Sequence, residues 1–190
     1  MTELTPGSTD PLILASRSPQ RRAILEQLGV DFRVEGPEVE ELTTGDPRRL
    51  VLENARRKVA AVSGHRVLGV DTAVVLDGRP FGKPHDEAEA EAFLRRLSGR
   101  THEVMSGIAL RQGAAERSDV AVTRVRFRML EPPDVAWYLA SGEWRERAGG
   151  YAIQGRGAAL VQEIEGDYWN VVGLPVAALL RLAPDLLRRS

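Results

Sequence analysis

The sequence predicts an α/β or α+β protein in which short apolar strands alternate with amphipathic helices. Three observations support this class: apolar runs of strand length recur along the chain, capping residues followed by proline mark helix starts, and glycines mark helix ends. With 190 residues, of which 43% are hydrophobic, the chain buries roughly 70% of its unfolded surface and can fold without cross-links.

The first half of the chain predicts strands and helices in alternation. Their order is a strand at 12–15, a helix from Ser18-Pro19 to Gly29, a strand at 31–35, a helix from Asp46-Pro47 to about Ser63, strands at 66–70 and 73–76, and a hairpin turn at Asp77-Gly78 into 79–81. Ser18 and Asp46 are typical helix caps, and the proline after each fits the first helical position. Asp71 and Thr72 interrupt an otherwise apolar run, which divides the predicted strand in two.

The second half continues the alternation. It predicts a helix from Asp86 to Ser98-Gly99, strands at about 102–111 and 120–127, a helix after Pro132-Pro133, a glycine-rich strand region beyond Gly149-Gly150, a turn at Gly166-Asp167 and a last helix from Pro175 to about Leu187. Residues 1–10 are predicted to form a flexible tail. No repeat or linker divides the rest, so residues 11–190 are predicted to form a single domain.

Charge and composition exclude several classes of function. The 26 basic and 27 acidic residues nearly cancel, which removes the positive field of a general nucleic-acid binder. Without cysteine there is no disulfide, thiolate nucleophile or cysteine-bound zinc. Only His65, His85 and His102 remain as imidazole ligands, so oxygen atoms are the expected metal ligands. The N-terminus lacks the features of a signal peptide, and no apolar run reaches the ~20 residues that span a bilayer, so a cytoplasmic protein is expected.

A candidate phosphate site lies at the first strand-to-helix turn. Ser16, Ser18, Arg21 and Arg22 combine hydroxyls, free amides at a helix start and guanidinium groups, all of which bind phosphate oxygens. The alternative is a capped helix with solvated arginines.

Two lysines stand out in a chain that otherwise uses arginine. Lys58 and Lys83 are the only lysines among the 26 basic residues. Lys83 lies in residues 81–84 (FGKP), where glycine permits close approach and proline fixes the backbone, so its ammonium is suited to bind phosphate. The segment lacks the glycine spacing of a Walker loop. Chance survival of two exposed lysines is the alternative.

Carboxylates provide candidates for a base and for metal ligands. Asp71 lies within an apolar run, where a charged group must be paired, hydrogen-bonded or bound to a cation. Glu38, Glu40 and Glu41 add oxygen ligands suited to magnesium or manganese. The alternative for Asp71 is an aspartate that only marks the end of a strand. The alternative for the three glutamates is a solvated acidic surface.

Gln154 is a candidate for recognition of a nucleobase. It lies in residues 149–157 (GGYAIQGRG), where four glycines allow close approach of the backbone to a ligand. Its amide offers both a donor and an acceptor, as a base edge requires. A flexible loop is the alternative.

Six segments occur in the order found in the Maf family of nucleoside triphosphate pyrophosphatases. They are residues 14–21 (LASRSPQR), 69–72 (GVDT), 82–84 (GKP), 97–104 (LSGRTHEV), 150–155 (GYAIQG) and 171–175 (VVGLP). The chain resembles that family over about residues 11–187. The resemblance implies a homodimer and a twisted mixed β-sheet flanked by helices, with two lobes around a central cleft, similar to the inosine triphosphate pyrophosphatase fold.

The resemblance also implies an activity. It implies hydrolysis of a nucleoside triphosphate between its α- and β-phosphates, with a divalent cation (Mg²⁺, Mn²⁺ or Co²⁺), to give the monophosphate and pyrophosphate. Asp71 matches the family's catalytic aspartate, which accepts a proton from the attacking water, and Glu41 and Asp71 match acidic positions at the metal. The residues that match polyphosphate-binding positions are Ser16, Arg21, Lys58 and Lys83.

Residues 150–155 resemble the subgroup that acts on dTTP and UTP rather than the subgroup that acts on 7-methyl-GTP. Thr72 and Gln154 match specificity positions of that subgroup, whereas Gln20 stands where it has an arginine. Because Gln20 lacks charge, the base preference is expected to be relaxed or shifted. Residues 145–149 (RERAG) keep the charge of the family's usual Asp-Lys-Ala-Gly but depart from its sequence.

Two other functions compete with pyrophosphatase activity. One is a nucleotide-binding regulator of cell division or septum formation with little turnover, which the combination of Asp71, Lys83 and Glu41 disfavours. The other is a nucleic-acid-binding protein, which the near-zero net charge and the scattered arginines disfavour.

Overall fold

The computed structural model describes residues 11–188, so the predicted tail at residues 1–10 lies outside the described residues. Within them the β-strands are β1 (Leu12–Leu14), β2 (Phe32–Val34), β3 (Arg66–Leu76), β4 (Arg79–Phe81), β5 (Thr101–Gln112), β6 (Ala115–Phe127) and β7 (Val161–Glu165). The α-helices are α1 (Pro19–Gln27), α2 (Pro47–Ala60), α3 (Glu87–Leu97), α4 (Pro132–Leu139), α5 (Tyr168–Val172) and α6 (Val176–Leu182). Short 3-10 helices, Ala148–Gly150 and Arg156–Leu160, precede β7.

The seven strands of the described part form one mixed sheet, which confirms the predicted fold class. Their order is β2-β1-β3-β5-β6-β7, and β4 pairs with β3 outside this order. β1 runs parallel to β2 and β3, whereas the remaining pairs are antiparallel. Helices flank the sheet, as expected when amphipathic helices alternate with apolar strands.

Side-chain caps begin three helices at the predicted residues. Ser18, Asp46 and Asp86 occupy the N-cap positions of α1, α2 and α3, and each side chain accepts a hydrogen bond from a backbone amide in the first turn. Such a cap stabilises a helix by about 1 kcal/mol. α2 ends at Ala60, somewhat before the predicted Ser63.

Two hydrophobic cores lie towards opposite ends of the long strand β3, and they define two lobes. One core joins β1, α1 and α6 with the first part of β3, and it includes Leu14, Leu25 and Leu179. The other joins β4, α3 and α4 with the end of β3, and it includes Phe81 and Tyr138. The middle of β3, between these cores, is therefore where the two lobes meet.

Helix α2 packs very close to the middle of the sheet because two glycines face it. A Cβ atom on Gly69 would lie 2.2 Å from the carbonyl oxygen of Ala55, and one on Gly107 would lie 2.2 Å from that of Val51. Gly107 of β5 is also the cross-strand partner of Asp71. Glycine at both positions thus lets the backbone of α2 approach the strand that carries Asp71.

β3 is one continuous strand, so the predicted interruption at Asp71 and Thr72 is wrong. Both residues pair with β5, where Asp71 lies opposite Gly107 and Thr72 lies opposite Ser106. Asp71 stays in the strand because its buried carboxylate receives hydrogen bonds from α2, which compensate for its burial.

The glycine-rich region beyond Gly149-Gly150 contains the predicted strand only in its last part, as β7 directly before the turn at Gly166-Asp167. Gly149 and Gly150 have φ angles of 69° and 72°, and the chain continues through turns and a 3-10 helix before β7 begins at Val161. The two glycines in left-handed conformation turn the chain, and the 3-10 helix that follows delays the strand to Val161.

Smaller differences concern the ends of elements. β6 begins at Ala115, earlier than predicted, because Gly113, with a φ of 60°, turns β5 directly into a long hairpin. α5 is not predicted, although Asp167 caps it at the predicted turn. α6 ends at Leu182 because Pro184 cannot continue the helix.

A histidine in the second core makes the stability of the fold depend on pH. His102 is buried, its Nε2 lies 2.9 Å from the hydroxyl oxygen of Tyr151, and its ring packs edge-on against Phe127. Burial lowers the pKa of His102 from 6.5 to about 4. Between these values the unfolded chain binds more protons than the folded one, so stability falls as the pH falls through this window.

We therefore expect His102 to lower the free energy of unfolding by about 2 kcal/mol when the pH is changed from 7 to 5. Urea unfolding at both pH values measures this difference. His102→Gln removes the titrating ring, so most of the difference between the two pH values should disappear in this variant. The same pH difference in the variant would assign the effect to other groups.

Candidate active site

A cleft of about 990 Å³ lies between the two cores. The nine residues to which the family resemblance assigns a role all line it: Ser16, Gln20, Arg21, Glu41, Lys58, Asp71, Thr72, Lys83 and Gln154. Arg22, which was predicted to join the phosphate site, pairs instead with Glu26 at 2.7 Å and does not line the cleft. They come from the turn before α1, from the segment before α2, from α2 and β3, and from loops of the second lobe. The fold thus brings together residues that are spread over most of the chain.

Asp71 occupies a buried position in this cleft, and α2 supplies two partners for its carboxylate. Asp71 is 8% exposed; its Oδ1 accepts a hydrogen bond from Lys58 Nζ at 2.7 Å, and its Oδ2 accepts one from Asn54 Nδ2 at 3.0 Å. Asn54 and Lys58 are four residues apart and lie on one face of the helix. The two donors fix the orientation of the carboxylate and leave further acceptor positions on both oxygens.

Lys58 joins Asp71 to a second carboxylate. Its ammonium nitrogen lies 2.6 Å from Glu41 Oε1 and 2.7 Å from Asp71 Oδ1, and it also donates to the carbonyl oxygen of Val70. The Lys58 side chain is 9% exposed, whereas that of Glu41 is 46% exposed. A buried ammonium needs such acceptors because it has lost its contact with water.

Arg21 connects three parts of the cleft through three nitrogens. Its Nη1 donates to Ser16 Oγ at 3.0 Å, its Nη2 to Thr72 Oγ1 at 3.2 Å, and its Nε to the carbonyl oxygen of Gly173 at 2.9 Å. Burial lowers the pKa of Arg21, and the nearby charge of Asp71 opposes this shift. An arginine remains protonated in such a setting, so the cleft holds a fixed positive charge beside the first turn.

The turn before α1 is ordered by serine hydroxyls. The amide of Ser18 donates to Ser16 Oγ at 3.2 Å, and Ser18 Oγ donates to Gln20 Oε1 at 3.1 Å. Arg21 links this turn to Thr72 Oγ1, which also lies 2.8 Å from Ser106 Oγ. The turn leads into the N-terminus of α1, where free amides and the helix dipole favour an anion.

Lys83 lies on the other side of the cleft, in an exposed ion pair. Its Nζ lies 2.7 Å from Glu146 Oε2, and the two side chains are 61% and 78% exposed. The hydrogen bond from Lys83 lowers the pKa of Glu146. Exposed pairs of this kind are weak, so an anionic ligand can replace Glu146 at little cost. Gln154 is exposed on the same side.

Asp71 and Glu41 are the residues that fit a divalent cation. Among residues 11–188 no group of three or more His, Cys, Asp or Glu side chains is arranged to hold a metal ion. A pair of carboxylates fits magnesium that takes its remaining ligands from phosphate and water, as is common at nucleotide sites. The donor set therefore suits a cation that is shared with a phosphorylated ligand.

Glu38 and Glu40, the other two members of the predicted acidic cluster, face elsewhere. The carboxylate of Glu38 pairs with Arg17 at 3.0 Å. The carbonyl oxygen of Glu40 accepts a hydrogen bond from Arg57, and its side chain is exposed. The acidic segment is thus partly a solvated surface, and within it Glu41 alone binds Lys58.

Three contacting residues were not predicted from the sequence, namely Asn54, Ser106 and Glu146. Asn54 lies one helical turn before Lys58, and this spacing is the signal that could have identified it. Ser106 depends on the register of β5 against β3, and Glu146 depends on a left-handed backbone with a φ of 58°. Neither feature can be read from residue patterns.

Comparison with known protein families identifies the chain. The sequence profile described as Maf-like protein matches residues 11–186. The chain belongs to the Maf family. The match confirms the resemblance carried by the six ordered segments.

Maf relatives named dTTP/UTP pyrophosphatase are similar to this chain over most of their length. The protein from Symbiobacterium thermophilum is 50% identical, with 87% of this chain and 88% of the relative covered. The protein from Thermus thermophilus is 49% identical, with 90% and 92% covered. The protein from Deinococcus radiodurans is 46% identical, with 93% and 94% covered.

Solved structures show lower similarity to this Maf protein. The Ham1 protein of Staphylococcus aureus has a TM-score of 0.46 at 19% identity, with 62% of this chain and 72% of that chain covered. Protein VC0702 from Vibrio cholerae has a TM-score of 0.34 at 10% identity, with 70% and 68% covered. Between residues 11 and 188, none of the helices has the length and apolar content needed to span a membrane.

Proposed function

We propose that this Maf protein hydrolyses nucleoside triphosphates, with dTTP and UTP as preferred substrates, to the monophosphate and pyrophosphate. The observation that carries the proposal is the cluster of Asp71, Lys58 and Glu41 in a cleft lined with phosphate-binding groups. Relatives named dTTP/UTP pyrophosphatase, at 46% to 50% identity, support the same reaction.

The cleft offers donors on two sides for a triphosphate. In the first lobe, Ser16, Arg21 and the free amides at the start of α1 bind phosphate oxygens. In the second lobe, Lys83 exchanges its contact with Glu146 for a phosphate oxygen. Binding from both lobes holds the chain of phosphates across Asp71 and orients it for attack by water.

Asp71 acts as the base in this proposal. Its carboxylate accepts a proton from a water molecule as the oxygen of that water attacks the α-phosphorus. The bond from the α-phosphorus to the oxygen that bridges to the β-phosphate breaks, and pyrophosphate leaves with that oxygen. Lys58 holds Asp71 Oδ1 in place and adds positive charge near the reacting phosphate. No covalent intermediate with the protein is needed.

Asp71 and Glu41 are also the proposed ligands of a divalent cation, Mg²⁺, Mn²⁺ or Co²⁺. When bound, the cation neutralises charge on non-reacting phosphate oxygens. Glu41 comes from the irregular segment 35–46, so the conformation of that segment decides whether the two carboxylates can act together.

Base preference is assigned to Gln20, Thr72 and Gln154. We expect Gln20→Arg to increase the ratio of kcat/KM for dTTP and UTP over that for ATP and GTP by about 10-fold, because a guanidinium adds charged donors for the carbonyl oxygens of thymine and uracil. Steady-state kinetics with the four nucleotides measures the ratio. Gln20→Met has a similar length without charge and serves as the control. Equal ratios in both variants would contradict the assignment.

Pyrophosphate release from a panel of canonical and modified nucleoside triphosphates tests the proposed function. We expect release from dTTP and UTP in the presence of Mg²⁺, Mn²⁺ or Co²⁺, and loss of release when EDTA removes the cation. Equal rates with all common triphosphates would contradict a pyrimidine preference. Nucleotide binding without release from any substrate would favour a regulator of cell division or septum formation instead.

The family resemblance further predicts a cytoplasmic homodimer, and both properties stay predictions. Sedimentation velocity at micromolar protein concentration tests the dimer. A single species with the mass of one chain would contradict it.

A further inference from the structure

Asn54 uses its whole amide group to bind two separate parts of the site. It is 1% exposed; its Oδ1 accepts a hydrogen bond from the amide of Leu42 at 2.7 Å, and its Nδ2 donates to the carbonyl oxygen of Leu42 and to Asp71 Oδ2, both at 3.0 Å. These contacts engage the acceptor and both donor positions of the amide.

The contact with Leu42 matters because of the segment to which Leu42 belongs. Residues 35–46 contain no helix or strand, and they carry Glu41. Asn54 binds both backbone groups of the residue next to Glu41, while Lys58, one turn later on α2, binds the carboxylate of Glu41. One face of α2 therefore holds the irregular segment at two adjacent residues and holds Asp71 by both oxygens.

Packing alone does not require an amide at this position. Leucine has the same number and branching of side-chain heavy atoms as asparagine and fills a buried site without the free-energy cost of burying polar atoms. A buried amide with every hydrogen bond made is costly to disrupt and specifies one arrangement of its partners. The partners here are the strand residue Asp71 and the segment of Glu41.

We infer that Asn54 is a positioning residue that sets the placement of Glu41 relative to Asp71. The inference rests on the proposed function and adds a residue that acts only through these two carboxylates. Loss of the amide releases the backbone of Leu42 and lets the Asp71 carboxylate rotate about its remaining contact with Lys58. Misplacement of catalytic groups by about 1 Å can lower turnover by about 100-fold.

Two variants separate the contacts of Asn54. Asn54→Leu removes all three hydrogen bonds, whereas Asn54→Asp keeps an acceptor for the Leu42 amide but loses the donors to Asp71 and to the Leu42 carbonyl oxygen. In Asn54→Leu we expect hydrogen exchange of the Leu42 amide, measured without metal or nucleotide, to be at least about 10-fold faster. In Asn54→Asp we expect that exchange to stay close to the wild-type rate. In both variants we expect kcat to fall by at least about 10-fold.

Asn170 provides a matched control, since it is the only other asparagine in the chain. It is fully buried and donates to Val104 and Thr123, away from Asp71. Asn170→Leu should lower the melting temperature but leave exchange of the Leu42 amide unchanged. If Asn54→Leu does not fold, the fall of kcat in Asn54→Asp tests the inference.

Two results would overturn the inference. One is turnover within about 2-fold of wild type in both Asn54 variants, and the other is unchanged exchange of Leu42 in Asn54→Leu. Failure of the proposed function gives a different result. Wild-type protein would then release no pyrophosphate, while hydrogen exchange of the Leu42 amide would still be faster in Asn54→Leu.

Discussion

Asp71→Asn should lower kcat for pyrophosphate release by at least about 1,000-fold, within the range for loss of a general base. The substitution keeps the shape of the side chain but removes the basic oxygen and the charge that pairs with Lys58. Nucleotide binding should be retained, since Arg21, Ser16 and Lys83 are unchanged. Initial rates of pyrophosphate release and calorimetric titration with a non-hydrolysable dTTP analogue measure the two properties separately.

Asp77→Asn is the matched control for this prediction. Asp77 follows the same strand, is exposed, and pairs with Arg100 outside the cleft. Its φ of 53° is a left-handed conformation that asparagine tolerates. Turnover of Asp77→Asn should equal that of wild type. Near-normal turnover in Asp71→Asn across substrates would instead remove Asp71 from the role of base.

Lys58→Met should impair both activity and folding. The variant leaves the carboxylates of Asp71 and Glu41 facing each other without the ammonium between them. Breaking a buried pair from one side is destabilising, so we expect a loss of about 2–4 kcal/mol in the free energy of unfolding. We also expect kcat to fall by at least about 100-fold, because Asp71 loses the donor that orients it. Urea unfolding and initial rates test the two effects.

A double variant tests whether Lys58 and Asp71 stabilise the protein as a pair. Lys58→Met combined with Asp71→Asn leaves neither member of the buried pair charged, so its stability loss should be smaller than the sum of the two single losses. Additive losses would show that the pair does not act as a unit.

Lys83→Met removes an exposed ion pair and should change the free energy of unfolding by less than about 0.5 kcal/mol. We expect KM for the triphosphate to rise in this variant.

Much of the fold could be predicted because the signals are local. Ser18, Asp46 and Asp86 mark helix starts through caps that depend on neighbouring residues only. The strand prediction failed at Asp71 for the opposite reason. Its carboxylate is stabilised by residues 13 and 17 positions earlier, and a local apolar pattern carries no information about them. At Gly149 the backbone conformation, rather than composition, decided the outcome.

The residues of the candidate site could be proposed from the sequence, but the contacts between them could not. The nine predicted side chains line one cleft, whereas the use of Arg21 to join Ser16 and Thr72 requires the packing of α1 against β3. Asn54 carries no charge and lies in a helix, so its spacing of four residues from Lys58 is the only sequence signal that distinguishes it from a solvated residue. Its importance follows from the close approach of α2, which Gly69 and Gly107 permit.

The unequal burial of the two lysines has a chemical consequence. Lys58 is enclosed between two carboxylates, whereas Lys83 is 61% exposed at the edge of the cleft. All other basic side chains that could compete for an acylating reagent are arginine or histidine. Apart from the terminal amine, the protein therefore presents a single accessible primary amine, and this amine lies where the phosphates of a nucleotide would shield it. Acylation of Lys83 thus offers a covalent record of whether the cleft is occupied.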